Sequence, residues 1–395
     1  MLRATMKFIQ QLIALAVLLS ASVSFAQNAS RKDVDIASPD GVKLRATFFS
    51  AGKPGPGVLL LHMCNTTRKS WEPVAKGLSE RGINVLAVDN RGFGESGGPR
   101  FENASGEIRQ ELNAKWPADF DAVYQFLISQ IAVDKGRTAL GGGSCGVTNA
   151  VKLAEGHPEV KTMVLLAGTT DVKGINFIAD HPERPILTAA AADDEYDDDA
   201  VQVMQWTANL SANPRTKFSG FKDGKHGTEI FGPHPELVNE IVSFYVDTLI
   251  TKPVELKPMG AAGKTPASEF WTLASQKGGA GRAAALYRET HKRDPQPFLF
   301  PEFAINLLGY DRIQAGDSED AIELFKLNTE AYPASANAQD SLSDGYLAAG
   351  QKDLALAADE KCLQLLPGDK KDAQFKARLE KAAQDKIAKL KAESK

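Results

Sequence analysis

RTALGGGSCGVTNAV, at residues 137–151, joins a strand pattern to a helical pattern through a glycine-rich turn. Residues 137–141 are typical of a strand, and residues 144–155 have the spacing of a helix. Glycines stand two positions before and two positions after Ser144, at Gly142 and Gly146, where side chains would collide with the adjacent helix and strand. A serine in the pattern G-x-S-x-G between a strand and a helix is the arrangement of an exposed nucleophile. We therefore predict that Ser144 is a catalytic nucleophile.

Two other interpretations of this turn fit its surroundings less well. A phosphate-binding G-x-G-x-x-G turn follows the first strand of its sheet and has an acidic residue about 20 positions later, whereas this turn lies in the middle of the strand–helix series. Cys145 would be the better intrinsic nucleophile, but the glycines flank Ser144 symmetrically and Val147 stands two positions after the cysteine. We expect Cys145 to contribute its backbone amide instead of its thiol.

Strand and helix patterns alternate over about residues 34–250. Strands are predicted at residues 42–49, 57–62, 83–88, 137–141, 160–167, 185–191 and 216–221, and helices at 69–81, 117–130, 144–155, 200–210 and 235–250. The continuous apolar run GVLLLH (57–62) is typical of a strand that is buried on both faces. The alternation predicts an α/β fold with a mostly parallel sheet and helices on both faces. The longest stretch without a pattern, 95–117, is predicted to be a free segment that forms one wall of a pocket.

Four stretches of this region together resemble the α/β-hydrolase family. They are LLLHMCN (59–65), VDNRGFGES (88–96), GGSCG (142–146) and KHGTEIF (225–231). The resemblance covers residues 34–250 and implies a hydrolase whose nucleophile, acid and histidine follow one another in that order. The chain departs from the family at one place, since many members have His-Gly where this sequence has His62-Met63.

The resemblance assigns a base and an acid. His226 follows the last predicted strand, in the loop where the family carries its base. The other histidines after Ser144 precede a proline or lie in the C-terminal region: His157, His181, His234 and His291. The acid should follow the strand at 185–191, where AADDEYDDD (191–199) offers several carboxylates. Asp194 matches the family position best, Asp193 stays open as its alternative, and a calcium site is a further interpretation that lacks the glycine and spacing of a dedicated loop.

The same resemblance implies the oxyanion hole, and the closeness of its two amides leads us to predict a disulfide. Cys145 would supply one backbone amide and Cys64, in the loop after the structural residue His62, would supply the other. Two amides that reach one oxygen must lie close together, so their Cα atoms could fall within the distance that a disulfide needs. We predict a Cys64–Cys145 disulfide, with two buried, reduced thiols as the alternative, and Cys362 is left over.

The short connection between the strands at 160–167 and 185–191 leaves no room for a large helical lid. The pocket should therefore be open, as in the dienelactone-hydrolase-like members that the sequence resembles. The expected reaction is hydrolysis of a small-molecule carboxylic ester or acyl substrate through an acyl-enzyme, without a cofactor or metal. A serine peptidase or amidase with the same triad is one alternative. A repeat-mediated binding protein with a vestigial hydrolase domain is the other.

The N-terminus is typical of a secretory signal peptide. Residues 1–26 contain Arg3 and Lys7 but no acid, then an apolar stretch that is too short to span a bilayer, and then Ser24-Phe25-Ala26. We predict cleavage after Ala26 and export to the periplasm or the medium. No other segment of the sequence is apolar enough to span a membrane. A mature hydrolase domain would then occupy residues 27–250.

The composition changes after residue 250. Residues 251–267 (TKPVELKPMGAAGKTPA) are typical of a linker, and residues 268–395 carry only helical patterns. Gly316, Ala321 and Pro333 recur 34 positions later at Gly350, Ala355 and Pro367, a spacing that resembles tetratricopeptide repeats. A weaker earlier copy contains Gly278, Ala283 and Pro295. We expect this all-α helical repeat domain to separate from the hydrolase domain, and either to bind a protein partner or to brace that domain.

Charge and cysteine content exclude other classes of protein. The chain has 395 residues, a formal net charge of −4 and 3 cysteines. A nucleic-acid-binding protein usually has a strong basic excess, and a disulfide-framework fold or a cysteine-rich zinc module needs more cysteines. We therefore predict no nucleic-acid partner.

Overall fold

Eight strands form one sheet in the computed structural model, which describes residues 30–256, 263–293 and 298–393. The strands are β1 (Ser30–Ala37), β2 (Lys43–Ser50), β3 (Gly55–Leu61), β4 (Asn84–Val88), β5 (Val133–Gly143), β6 (Val160–Leu166), β7 (Ile186–Ala191) and β8 (Lys217–Phe221). Their order is β1-β2-β4-β3-β5-β6-β7-β8, and only β2 runs opposite to the others, since it pairs antiparallel with both β1 and β4. The predicted mostly parallel α/β sheet is therefore confirmed.

Six helices belong to the sheet domain, namely α1 (Glu72–Glu80), α2 (Gly106–Ser129), α3 (Cys145–Gly156), α4 (Val172–Asp180), α5 (Ala200–Asn209) and α6 (Pro235–Val246). Strands β3, β4 and β7 are buried along their whole length. This burial is what a parallel sheet with a helical layer on each face requires. The carboxyl ends of β3, β5, β7 and β8 therefore meet at one edge, where ligand sites of such sheets lie.

The structure corrects the prediction that residues 95–117 form a free segment. Helix α2 begins at Gly106, where the Ser105 side chain accepts a hydrogen bond from the backbone N–H of Ile108. Leu112 and Trp116 face the core, so their apolar contacts hold the first half of the helix in place. Pro117 lies inside the helix and not at its start, although proline usually occupies the first turn. Strand β1 was also missed, because its alternating charged residues leave little apolar signal.

A helical region follows the sheet domain. Its helices are α7 (Pro266–Ser275), α8 (Ala280–Arg293), α9 (Glu302–Gln314), α10 (Ser318–Ala331), α11 (Ala336–Ala348), α12 (Lys352–Leu365) and α13 (Ala373–Glu393). The glycines of the predicted repeats lie in the turns that precede α8, α10 and α12, all with positive φ: Gly278, Gly316 and Gly350. The alanines of the same pattern are fully buried in those three helices: Ala283, Ala321 and Ala355. Each of these glycines adopts backbone angles that other residues rarely adopt.

The helical region packs directly on the sheet domain through two buried tryptophans. Trp206 of α5 and Trp271 of α7 meet edge to face, with ring centroids 5.4 Å apart. The indole N–H of Trp206 donates to the Leu299 carbonyl at 2.8 Å, and that of Trp271 donates to the Asn176 side chain at 2.7 Å. One hydrophobic cluster therefore continues from α4 and α5 into the helical region. This packing argues against the expectation that the two parts separate freely.

Some of the segments predicted from the sequence lie outside the residues that the structure describes. The predicted signal peptide, residues 1–26, lies outside them, as do residues 257–262 of the predicted linker and Pro295. Helix α7 begins at Pro266, inside the predicted linker. Within the described ranges, no helix combines the length and the hydrophobicity needed to cross a bilayer.

Removal of the helical region should destabilise the sheet domain. A chain that ends at residue 256 would expose Trp206 and the apolar face of α4, so we expect it to unfold at a lower temperature than the full chain. The substitution Trp271→Ala removes part of the same contact and should cost about 3–5 kcal/mol of unfolding free energy. Thermal and urea unfolding followed by circular dichroism measure both effects. Leu354→Ala, at a half-exposed position of α12, is the control, and an unchanged melting temperature of the 30–256 fragment would contradict the expectation.

Candidate active site

Ser144 lies on a sharp turn between β5 and α3, with φ of 52° and ψ of −123°. A non-glycine residue with positive φ is uncommon and is concentrated at functional sites. The flanking glycines are required, because a Cβ atom on Gly142 would lie 2.2 Å from the Gly146 carbonyl oxygen. A Cβ atom on Gly146 would lie 2.4 Å from the Leu61 carbonyl oxygen. The chain therefore forms the tight turn that the G-x-S-x-G pattern indicates.

His226 and Asp194 form a buried hydrogen-bonded pair, with His226 Nδ1 2.7 Å from an Asp194 carboxylate oxygen. Asp194 follows β7 and His226 follows β8, so the two side chains meet because their strands are neighbours in the sheet. The other Asp194 oxygen accepts the backbone N–H groups of Tyr196 at 2.9 Å and Asp197 at 3.2 Å. These bonds hold the carboxylate in one orientation toward the imidazole.

Asp193, the alternative acid, has a different position. It is exposed, and its carboxylate accepts the backbone N–H of Lys225 at 2.9 Å. Asp194 is only 4% exposed. The structure therefore brings Asp194, and not Asp193, against the histidine. No group of three or more metal-ligating side chains in the described ranges is arranged to hold a metal ion.

One open cavity of about 510 Å³ contains the nucleophile candidate and the histidine. Its walls include Cys64, Asn65, Ser144, Cys145, Thr148, Gly168, Thr169, Tyr196 and His226. Helix α3 starts at Cys145, so this cavity faces the N-terminus of a helix, where backbone N–H groups and the helix dipole favour negative charge. Among the described residues, the backbone N–H groups of Cys64 and Cys145 have no hydrogen-bond acceptor. Both amides are therefore available to a ligand.

Two residues that line or support this site were not assigned a role from the sequence. The Tyr196 ring lies 4.7 Å from the His226 ring, centroid to centroid, and is 64% exposed at the rim of the cavity. Met63, the residue that replaces the usual glycine, is fully buried between the nucleophile strand and the histidine loop. Neither contact could be predicted from the sequence, because each joins segments that are far apart in the chain.

His62 is held between backbone groups on both sides, as its structural assignment requires. Its Nδ1 lies 2.6 Å from the Met63 carbonyl oxygen, and its Nε2 accepts the Asn90 N–H at 2.9 Å. This arrangement uses the neutral ring, with one nitrogen donating and the other accepting. Complete burial lowers the pKa of His62 from 6.5 to about 4.

The lowered pKa of His62 makes the stability of the protein depend on pH. Above pH 6.5 the ring is neutral in the folded and the unfolded chain, so its contribution is fully present. As the pH falls from 6.5 to about 4, only the unfolded chain binds the proton, and about 3 kcal/mol of stability is lost. Urea unfolding at a series of pH values measures this slope. In His62→Gln the slope over that interval should become shallower, and an equal slope in both proteins would contradict the assignment.

The sulfur atoms of Cys64 and Cys145 are joined in a disulfide, with Cα atoms 5.9 Å apart. The bond links the loop after β3 to the first residue of α3, directly beside Ser144. Cys362 is a free, buried thiol in the helical region, and burial raises its pKa to about 12. A raised pKa keeps this thiol protonated and unreactive. The two cysteines proposed for the oxyanion hole are thus tied together.

Reduction of this bond should lower stability. The cross-link closes a long loop, since its cysteines are 81 residues apart, and a loop of that length contributes up to about 4–5 kcal/mol. We expect dithiothreitol to lower the melting temperature of the wild-type protein. Dithiothreitol should not change the melting temperature of the double variant Cys64→Ala, Cys145→Ala. It should lower the melting temperature of Cys362→Ser as much as that of the wild type. Peptide mapping that finds three free thiols in oxidised protein would contradict the bond.

Comparison with known proteins found a family model that matches the sheet domain and several curated relatives of this chain. Residues 52–208 match the family model described as serine aminopeptidase, S33. A polyketide transferase, grgF, of Penicillium sp. is 30% identical over 173 residues, which cover 42% of this chain and 54% of the relative. The thiohydrolase apmlB of Arthrinium phaeospermum is 30% identical over 164 residues, which cover 41% of this chain and 50% of the relative. The chain spans about half the length of these curated relatives.

Solved structures also match a part of this chain. The Pyrococcus furiosus esterase Pf2001 is 19% identical, with a TM-score of 0.44, over 56% of this chain and 94% of that one. The family match contains Ser144 and Asp194 but ends before His226. The strand order, the turn at Ser144 and the family match agree on one assignment, and the chain therefore has the α/β-hydrolase fold, with residues 52–208 similar to the serine aminopeptidase S33 family.

Proposed function

We propose that this chain is an exported serine hydrolase that cleaves carboxylic esters of small molecules through an acyl-enzyme. The observation that carries the proposal is the His226–Asp194 hydrogen bond of 2.7 Å beside Ser144 in one open cavity. The strained serine, the acid and the base occur along this chain in the same order as in α/β-hydrolases. Three groups with this relation form a nucleophile, a base and the group that orients the base.

Each residue has a definite role in the proposed reaction. Ser144 Oγ attacks the ester carbonyl, and His226 accepts the serine proton at Nε2 because its Nδ1 N–H is donated to Asp194. The negative oxygen of the tetrahedral intermediate accepts hydrogen bonds from the backbone N–H groups of Cys64 and Cys145. His226 then protonates the leaving alcohol. Water repeats the same steps on the acyl-enzyme and releases the acid.

The shape of the cavity supports a small, unconfined substrate. The connection between β6 and β7 contains only the short helix α4, so this described segment forms no large lid over Ser144. The exposed Tyr196 ring offers an aromatic surface beside His226 to one side of the substrate. Polar side chains on the other walls include Asn65, Thr148 and Thr169.

A serine peptidase or amidase is the second candidate, and the match to the serine aminopeptidase S33 model favours it. Such an enzyme would use the same three side chains on an amide bond. The remaining candidate is a binding protein in which the helical region binds a partner and the hydrolase domain is inactive. The paired His226 and Asp194 argue against this third candidate, because an inactive domain has no reason to retain them.

We propose that the helical region braces the loop that carries the acid. Lys371, which precedes α13, forms an ion pair with Asp199 at 2.5 Å. Asp199 ends the segment 193–199, which also contains Asp194 and Tyr196, so Lys371 holds the far end of the catalytic loop. The repeats resemble tetratricopeptide repeats in spacing, and binding of a protein partner is the alternative role that we propose for them.

Labelling with a fluorophosphonate, followed by a substrate panel, tests the proposed function. We expect covalent labelling of Ser144, identified by peptide mapping, and faster turnover of p-nitrophenyl esters than of matched p-nitroanilides. Turnover of the anilides alone would favour the peptidase. Absence of both labelling and turnover would favour the binding protein. N-terminal sequencing of the mature protein should find Gln27 first if export proceeds as proposed.

A further inference from the structure

Met63 contacts both segments that carry the proposed serine and histidine. Its side chain is fully buried. A Cβ atom on Gly143, the residue before Ser144, would lie 3.0 Å from Met63 Cγ. A Cβ atom on Gly227, the residue after His226, would lie 2.2 Å from Met63 Sδ. Met63 therefore occupies the space that these two glycines leave free.

The Met63 sulfur also accepts a backbone hydrogen bond. The N–H of Thr228 points at Sδ at 3.3 Å. Residues Gly227–Phe231 form a short helix with His226 at its N-terminal boundary, and the His226 side chain gives that helix no capping bond. The first N–H groups of a helix need acceptors from elsewhere. Met63 supplies one of them, in addition to filling the space beside Gly227.

These contacts place Met63 between three segments of the site. It lies in the loop of the proposed oxyanion amide of Cys64, and it touches the strand end before the nucleophile and the loop of the base. The His226 loop is also tied to the site by the Asp194 pair, by the bond from Lys225 to Asp193 and by the ring contact of His226 with Tyr196. Those three contacts join the His226 loop to the loop of the acid. Met63 instead joins it to Gly143, the residue before Ser144.

We propose that Met63 is a positioning residue that sets the separation of His226 from Ser144 by filling the space between Gly143 and Gly227. The proposal rests on the proposed serine-hydrolase function. It also explains the departure from the His-Gly pattern of the family, since a glycine at position 63 would leave this space empty. A displacement of about 1 Å between reacting groups can reduce a rate by about 100-fold.

The test compares Met63→Ala with Met163→Ala, a matched truncation of another buried methionine in β6. Both variants should lose a similar part of the melting temperature. Only Met63→Ala should slow fluorophosphonate labelling of Ser144, by about 10–100-fold. Met63→Leu, which restores the volume, should return the labelling rate to within about threefold of wild type. Equal labelling rates in the two alanine variants, or no recovery in the leucine variant with a native melting temperature, would overturn the proposal.

A second measurement does not depend on catalysis. The proton on His226 Nδ1, hydrogen-bonded to Asp194, should give a low-field resonance in protein labelled with ¹⁵N-histidine. We expect this resonance to broaden or shift in Met63→Ala and to persist in Met163→Ala. If wild-type Ser144 is not labelled but the resonance responds as expected, the proposed function fails while the positioning of His226 stands. An unchanged resonance in Met63→Ala would overturn the positioning role.

Discussion

Ser144→Ala should abolish ester hydrolysis while leaving the fold intact. The substitution removes the hydroxyl oxygen that we propose forms the acyl-enzyme, and loss of a triad serine typically lowers kcat by about 10⁴–10⁶. The alanine keeps Cβ in place on the turn, so circular dichroism and the melting temperature should stay close to those of the wild type. Initial rates on a p-nitrophenyl ester and fluorophosphonate labelling measure the effect.

Cys145→Ala is the control for this assignment. Its sulfur is bonded to Cys64 in the structure and is therefore not a free thiolate. The variant retains the backbone N–H proposed for the oxyanion hole, so we expect it to keep measurable activity with reduced stability. Full activity in Ser144→Ala combined with complete loss in Cys145→Ala would overturn the choice of nucleophile.

Asp194→Asn should lower kcat by about 10⁴, the loss seen when the acid of a serine triad becomes an amide. The neutral amide no longer stabilises the His226 tautomer that carries its proton on Nδ1. Nε2 is then no longer kept free to accept the serine proton. The carbonyl oxygen of the introduced amide can still accept the backbone N–H groups of Tyr196 and Asp197, which should preserve the loop. Steady-state rates on the same ester, together with the melting temperature, separate the chemical effect from a structural one.

Asp193→Asn is the matched control, one residue away on the same loop. Its carboxylate is exposed and bonds the backbone of Lys225, not the imidazole. We expect a far smaller loss of kcat than in Asp194→Asn, because the carbonyl oxygen of the introduced amide can still accept the Lys225 N–H. A large loss in Asp193→Asn with near-normal activity in Asp194→Asn would reverse the assignment of the acid.

The sheet and the tight turn at Ser144 could be predicted from local patterns. Continuous apolar runs mark β3, β4 and β7, because strands buried on both faces have no polar side to display. Gly142 and Gly146 mark the turn, because no other residue fits where their Cβ atoms would meet backbone carbonyl oxygens. The first half of α2 could not be predicted, since its apolar contacts with the core are spread among charged residues and Pro117 interrupts its pattern.

The sequence by itself determined the α/β fold class, the tight turn of Ser144 and the helical character of the C-terminal region, since each depends on residues close together in the chain. The tertiary structure decided that Asp194, and not Asp193, meets His226. It also decided that Met63 bonds the loop after His226 and that Trp271 joins the helical region to α4. These contacts link residues separated by 32, 165 and 95 positions. Such pairs are set by strand order and side-chain packing, which no local pattern of residues encodes.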